Sequence, residues 1–168
     1  MNDYIIVSAL KEEFPFEDLN VLYTGVGKIN ATISLLSYIH NNSNIKKVIN
    51  VGSAASISLQ KNSVYECGVF IQGDLNYPGF KQDIITYNLN GYTISTFDSF
   101  QTSIPERKCD IVDMESYAFA KICNLNKINF FCFKYISDIL GDKTQDSDWI
   151  ENYHKGRFLL KEKVIQIL

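Results

Sequence analysis

The segment Asn129–Ser137 (NFFCFKYIS) is the most hydrophobic run in the chain, and Asp138 follows it directly. So short and apolar a run, rich in aromatic residues, reads as a strand buried on both faces and predicts the centre of a sheet. A sheet buried on both faces needs helices to cover it. The rest of the chain supplies them. Tyr4–Ala9, Val21–Thr24 and Lys47–Val51 read as further short strands, the last running into the small residues Gly52-Ser53-Ala54-Ala55. Between them, Ile29, Ile33, Leu36 and Ile39 recur at helical spacing from Lys28 to about His40, where an asparagine cluster ends the helix. Val64–Thr96 alternates β-rich runs with Gly, Asn, Pro and Asp breaks. Ile111–Val112 leads into Asp113, and Met114–Cys123 has helical composition. The tail from about Asp146 to Leu168 reads as one helix, capped by Asp146 or Ser147, with Trp149, Ile150, Tyr153, Phe158 and Leu160 as its apolar stripe. Strands alternating with helices in this way predict an α/β fold, a central mixed β-sheet flanked by helices.

Length and charge then limit the function classes. A chain of 168 residues fits a single domain over residues 1–168, with no room for a separate cofactor domain. The formal net charge of −3 argues against a protein that works on duplex nucleic acid, where clustered Lys and Arg carry the affinity. No stretch approaches the ~20 apolar residues of a membrane helix, and the N-terminus lacks the basic region of a secretion signal. A cytoplasmic protein is expected. Cys67, Cys109, Cys123 and Cys132 form no C-x-x-C pair, so zinc and dithiol chemistry are disfavoured and buried, reduced thiols are expected.

Gly25-Val26-Gly27-Lys28 suggests a phosphate cradle but fails its requirements. A P-loop needs glycine where Leu22 stands and Ser or Thr where Ile29 stands. A dinucleotide fingerprint needs a third glycine at Asn30. A tight turn into a helix accounts for both glycines. The carboxylates are more telling. Glu13, Asp113, Glu115 and Asp138 each follow a strand or sit at a strand-to-helix junction, and ligands of open α/β sheets bind at those carboxyl ends. Asp138 in particular should be desolvated, which raises a carboxyl pKa toward that of a general acid working near neutrality.

Five blocks now occur in order: Ala9-Leu10-Lys11-Glu12-Glu13, Thr24–Ala31 (TGVGKINA), Val48–Ala55 (VINVGSAA), Asp110–Ala118 (DIVDMESYA) and Phe133–Asp138 (FKYISD). Together they resemble the purine nucleoside phosphorylase/uridine phosphorylase superfamily, and within it the methylthioadenosine/S-adenosylhomocysteine nucleosidases, in a shortened form. The resemblance implies cleavage of an N-ribosidic bond without metal or cofactor. It gives Asp138 contact with purine N7 and the exocyclic amine, Glu13 the attacking water, and Glu115 the ribose hydroxyls. Met114 would pack on the sugar, or simply fill the core. Phe100 would stack on the base, or belong to a β-meander core. Gln101 would offer its backbone to the base edge. Ser53 would hydrogen-bond near the reacting centre, where Gly52 and Ala54 permit close approach. Ser137 would orient Asp138 or end its strand.

The nucleophile separates hydrolase from phosphorylase. Arginine is the favoured phosphate clamp, but Arg107 and Arg157 lie outside the five blocks, and Glu13 suits water better than phosphate. Hydrolysis is expected, with adenosines carrying a 5′-thio substituent as substrates. A phosphorylase and a non-catalytic nucleoside-binding protein are the rivals. Lys134 stands where the nucleosidases have arginine, and the stretches between Glu13 and Gly25 and between Ser56 and Asp98 are abbreviated. Tyr77-Pro78-Gly79-Phe80 is either an apolar lid over the 5′ group or an ordinary turn. A homodimer is the expectation for the assembly.

Overall fold

The computed structural model describes residues 3–75, 77, 79 and 83–168. Eight strands form one sheet: β1 Tyr4–Ser8, β2 Val21–Tyr23, β3 Lys47–Ser56, β4 Val64–Gln72, β5 Ile84–Thr86, β6 Tyr92–Thr96, β7 Ile111–Asp113 and β8 Asn129–Ile139. Four helices accompany them: α1 Lys28–Asn41, α2 Ser116–Asn126, α3 Gln145–Asn152 and α4 Arg157–Ile165. β8 is central, as its sequence predicts, lying parallel to β3 on one side and antiparallel to β4 on the other. β4 continues to β6, β6 to β7, and β7 returns antiparallel to the end of β3, so five strands close a circuit. β1 and β2 extend the parallel part beyond β3. The mixed α/β sheet flanked by helices is therefore the observed architecture.

Alternation along β8 divides the core. Phe130, Cys132 and Ile136 join the cluster built with Ala31 and Leu35 of α1 and Phe119, Ala120 and Cys123 of α2. Phe133 and Tyr135 face the opposite cluster with Ile6, Ile49, Val51 and α4 residues Leu160 and Val164. A strand period of two thus sends successive side chains into two helix-covered layers. All four cysteines are buried and free.

The α1 stripe is not the face that packs, and the expectation of a single tail helix needs correction. In α1 the buried residues are Ala31 and Leu35, while Ile29 and Ile33 are 71% and 61% exposed and Leu36 is exposed as well. Ile29, Ile33 and Leu36 keep helical spacing but face outward, Ile39 alone of the stripe packing against the core, and the close packing of α1 on α2 uses the small Ala31. The tail is two helices rather than one. Tyr153–Lys155 interrupt it, and Gly156, the N-cap of α4, packs so tightly that a Cβ there would lie 2.2 Å from the Tyr135 ring. The N-cap of α3 is Thr144, not Asp146 or Ser147, and Ile150 and Phe158 of the expected stripe are exposed. No helix among the described residues is long and apolar enough to cross a membrane.

Candidate active site

β1, β3 and β8 run parallel, so their C-terminal ends gather at one edge of the sheet, and β7 arrives there from the other direction along β3. A cleft, open to solvent at its mouth, lies at that edge. Glu13, Ser53, Ala54, Phe100, Gln101, Met114, Glu115 and Asp138 all line it. So does Asp113.

Glu13 ends a 3-10 turn, Lys11–Glu13, that follows β1. Four donors hold its carboxylate: the Ser53 N–H at 2.8 Å and hydroxyl at 2.6 Å on Oε1, the Leu10 N–H at 3.3 Å and the Ser8 hydroxyl at 3.4 Å on Oε2. A Cβ at position 52 would come within 3.3 Å of Oε2, so Gly52 lets the carboxylate lie against β3. Burial pushes the Glu13 pKa up, and the two Ser53 hydrogen bonds oppose it.

A bulge in the β3–β8 ladder skips Ser137, so that Ala54 pairs with Ile136 and Ala55 with Asp138. One extra residue on a strand re-aims the side chains beyond it, and here Asp138 reaches the cleft. Ser137 is fully buried and stands behind Asp138, not on the cleft wall, with its hydroxyl 2.6 Å from Oδ1. Burial raises the Asp138 pKa, partly offset by hydrogen bonds from Ser137 and Gln145.

Asp113, Met114 and Glu115 form the passage from β7 to α2, with Glu115 as the N-cap. Asp113 is fully engaged. It accepts from Thr96 Oγ1 at 2.6 Å and from the Ser116 N–H at 2.9 Å, and its Oδ2 lies 3.0 Å from Lys134 Nζ. Burial works against its charge, but the Lys134 ammonium and these donors hold its pKa below the ordinary value. Glu115 accepts the Gly27 N–H at 2.9 Å. Its pKa is pushed up to about 8 by burial and by the Asp113 charge. Lys134, with its side chain 2% exposed, thus sits beneath the carboxylates as their counter-ion; burial would lower its pKa, yet Asp113 and the neighbouring anions leave it raised.

Phe100 is 41% exposed on the loop after β6, which removes it from any β-meander core. Its ring meets Trp149 of α3 edge-on at 5.9 Å, and Trp149 stacks on Tyr153 at 5.1 Å. Trp149 also lines the cleft, although its helical spacing pointed only to packing. Gln145 is the other residue that sequence reasoning missed. It touches both Asp138 and Gln101, and no motif or periodicity marks it. The lid considered at Tyr77–Phe80 rests on Pro78 and Phe80, which lie outside the described residues.

Residues 60–167 match the model of the phosphorylase superfamily. The chain belongs to that superfamily. No curated protein sequence matches it. Among solved structures, a futalosine hydrolase mutant from Helicobacter pylori strain 26695 is similar with a TM-score of 0.82 at 16% identity, over 98% of this chain and 99% of that one. The 5′-methylthioadenosine/S-adenosylhomocysteine nucleosidase of the same organism gives 0.81 at 17% identity, over 98% of each chain. The corresponding nucleosidase of Colwellia psychrerythraea 34H, in complex with adenine, gives 0.79 at 16% identity, over 94% and 92%. At these identities the similarity is one of fold: this phosphorylase-superfamily chain has the nucleosidase architecture in shortened form, with only Phe14–Asn20 between the 3-10 turn and β2.

Proposed function

We propose that this phosphorylase-superfamily member hydrolyses the N-ribosidic bond of purine nucleosides, with 5′-thio-substituted adenosines such as methylthioadenosine and S-adenosylhomocysteine as its substrates. The observation that carries the reading is the convergence of three buried carboxyl groups, Glu13, Glu115 and Asp138, on one cleft, with burial raising the pKa of Asp138 as a proton donor requires. Breaking the bond leaves positive charge on the ribose and sends the bonding pair to the purine. Asp138 gives its proton to N7 of the leaving base. Glu13 takes a proton from the water that attacks C1′. Glu115 accepts from the ribose hydroxyls, and ionised it stabilises the cationic sugar. Phe100 stacks on the base, and the Gln101 backbone meets its edge. The reaction so written needs no metal and no cofactor.

Water is favoured over phosphate by the state of the cationic and N–H groups. The Gly27 N–H is taken by Glu115, and the Lys28 ammonium is held between Asp74 and Asp98. Arg107 and Arg157 are absent from the cleft wall, whose charged residues among those described are Glu13, Asp113, Glu115 and Asp138. With no cationic side chain on that wall among the described residues to hold an anion, a nucleoside with an uncharged 5′ group is favoured. Leu10, Val26 and Met114 share the cleft with Glu115 and offer that group an apolar surround.

We also propose a cytoplasmic homodimer. Val26 borders the cleft, and with Ile29, Ile33 and Leu36 it makes an exposed apolar stripe for a second copy to cover. Four free, buried thiols suit a reducing compartment. The test of the catalytic roles is a pair of variants. Glu13→Gln and Asp138→Asn should each lower turnover of methylthioadenosine at least ~100-fold, with ligand binding better preserved in Glu13→Gln. Near-native rates in both would overturn the assignment.

A further inference from the structure

Gln145 opens α3 and is 3% exposed. All of its hydrogen-bonding groups have partners. Nε2 donates to Asp138 Oδ2 at 3.0 Å and to the Gln101 carbonyl at 2.8 Å, and Oε1 accepts the Gly141 N–H at 3.1 Å. These contacts determine the orientation of the amide. Turned over, its NH2 would face an N–H and its oxygen would face two acceptors.

We propose that Gln145 is a positioning residue for the base-recognition edge of the cleft: it holds Asp138 Oδ2 and the Gln101 carbonyl as a pair of acceptors, and so assigns the proton of Asp138 to Oδ1. The proposal rests on the reading of Asp138 as the acid. A neutral carboxyl has one hydroxyl oxygen and one carbonyl oxygen, and the oxygen that receives an N–H is the carbonyl. Oδ1 can be satisfied in either protonation state. The Ser137 hydroxyl lies 2.6 Å from Oδ1 and 3.3 Å from the Ala54 carbonyl. It donates to the carboxylate, or turns to Ala54 and accepts from the acid. Among the described residues, Oδ2 has only the Gln145 donor beside it. The proton that moves to purine N7 is then the one on Oδ1, and Asp138 is left as the carboxylate. Oδ2 and the Gln101 carbonyl each keep a second lone pair, which a 6-amino group can fill.

Among the ionisable neighbours of Asp138, Asp148 of α3 raises its pKa and Lys61 of the β3–β4 connection lowers it, while Glu13, Asp113 and Glu115 share the cleft wall with it. Asp148 and Lys61 pair with each other at 2.9 Å. β3 faces Asp138 with Ala54 and Ala55, and the loop after β6 faces the cleft with Ser99, Phe100 and Gln101, none of them titratable.

The test is the carboxyl 13C titration of Asp138 in the wild type, in Gln145→Met and in Gln145→Glu. Methionine keeps the length and removes the donor; glutamate keeps the shape and sets a second carboxyl against Oδ2. Both variants should titrate Asp138 at higher pH than the wild type does. In turnover, the high-pH limb of kcat/KM should move up with it, and kcat should fall about 10-fold or more from lost alignment. A role in packing alone would lower stability and leave the midpoint in place, so an unmoved midpoint in a folded variant overturns the proposal. Should Gln145→Met fail to fold, Gln145→Glu decides it. A wild type that releases no base defeats the hydrolase reading instead, while the titration still judges Gln145.

Discussion

At the residue scale, the site is a problem of keeping charges that water would normally share. Lys134 is the counter-ion beneath Glu13, Asp113 and Glu115, and Asp113 meets it directly. Removing the cation leaves Asp113 buried and unpaired. Lys134→Met should therefore cost about 3–5 kcal/mol of unfolding free energy, read by denaturant titration, whereas Lys134→Arg keeps the charge and should cost much less. Glu115 behaves in the opposite sense. Its folded pKa of about 8 lies above the ordinary 4.5, so the folded protein holds a proton that the unfolded chain releases. Its contribution to stability is present below pH 4.5 and is lost as pH rises to about 8. Glu13 and Asp138, also raised, add slope in the same direction. Glu115→Gln keeps an acceptor for the Gly27 N–H and should flatten the decline in stability across about pH 5–8. An unchanged slope would place the proton elsewhere.

At the scale of elements, Gly156 separates two short helices where the sequence reads as one. Gly156→Ala drives a methyl group into the Tyr135 ring and should cost about 1–3 kcal/mol, measured by thermal unfolding. The break was illegible because helical spacing runs on through Tyr153 and Leu160, and only the approach to β8 shows why the chain needs glycine there. Strands were easier to read. β1 and β8 follow their apolar runs almost residue for residue, since burial on both faces demands a continuous hydrophobic segment, and β2 matches its run as a half-buried edge strand. β3 reaches Ser56, beyond the apolar run, because small residues can pair in a ladder while leaving room for Glu13. Helical spacing located α1, but isoleucines at that spacing signal an apolar stripe without saying what covers it. Asp138, Glu13 and Glu115 were legible because each ends a strand or begins a helix. Gln145 was not, since its contacts come from Gln101, Asp138 and Gly141, which only tertiary structure brings together.

At the scale of the whole molecule, the cleft and the exposed α1 stripe meet at Val26. The chain should sediment as a dimer, and Ile29→Lys combined with Ile33→Lys should shift it to monomer without unfolding it; a wild-type monomer at all concentrations would remove the dimer from the account. Trp149, the single tryptophan, faces the cleft, so adenine should change its fluorescence. The superfamily contains the chemistry of both phosphate and water, and everything proposed for Glu13 depends on which one attacks. The decisive measurement is chromatographic detection of free adenine from methylthioadenosine and S-adenosylhomocysteine, with adenosine and inosine alongside, each with and without phosphate. Adenine released in phosphate-free buffer, with the free sugar as co-product, is the expected result. Release only when phosphate is present, with a sugar phosphate as product, would contradict the account.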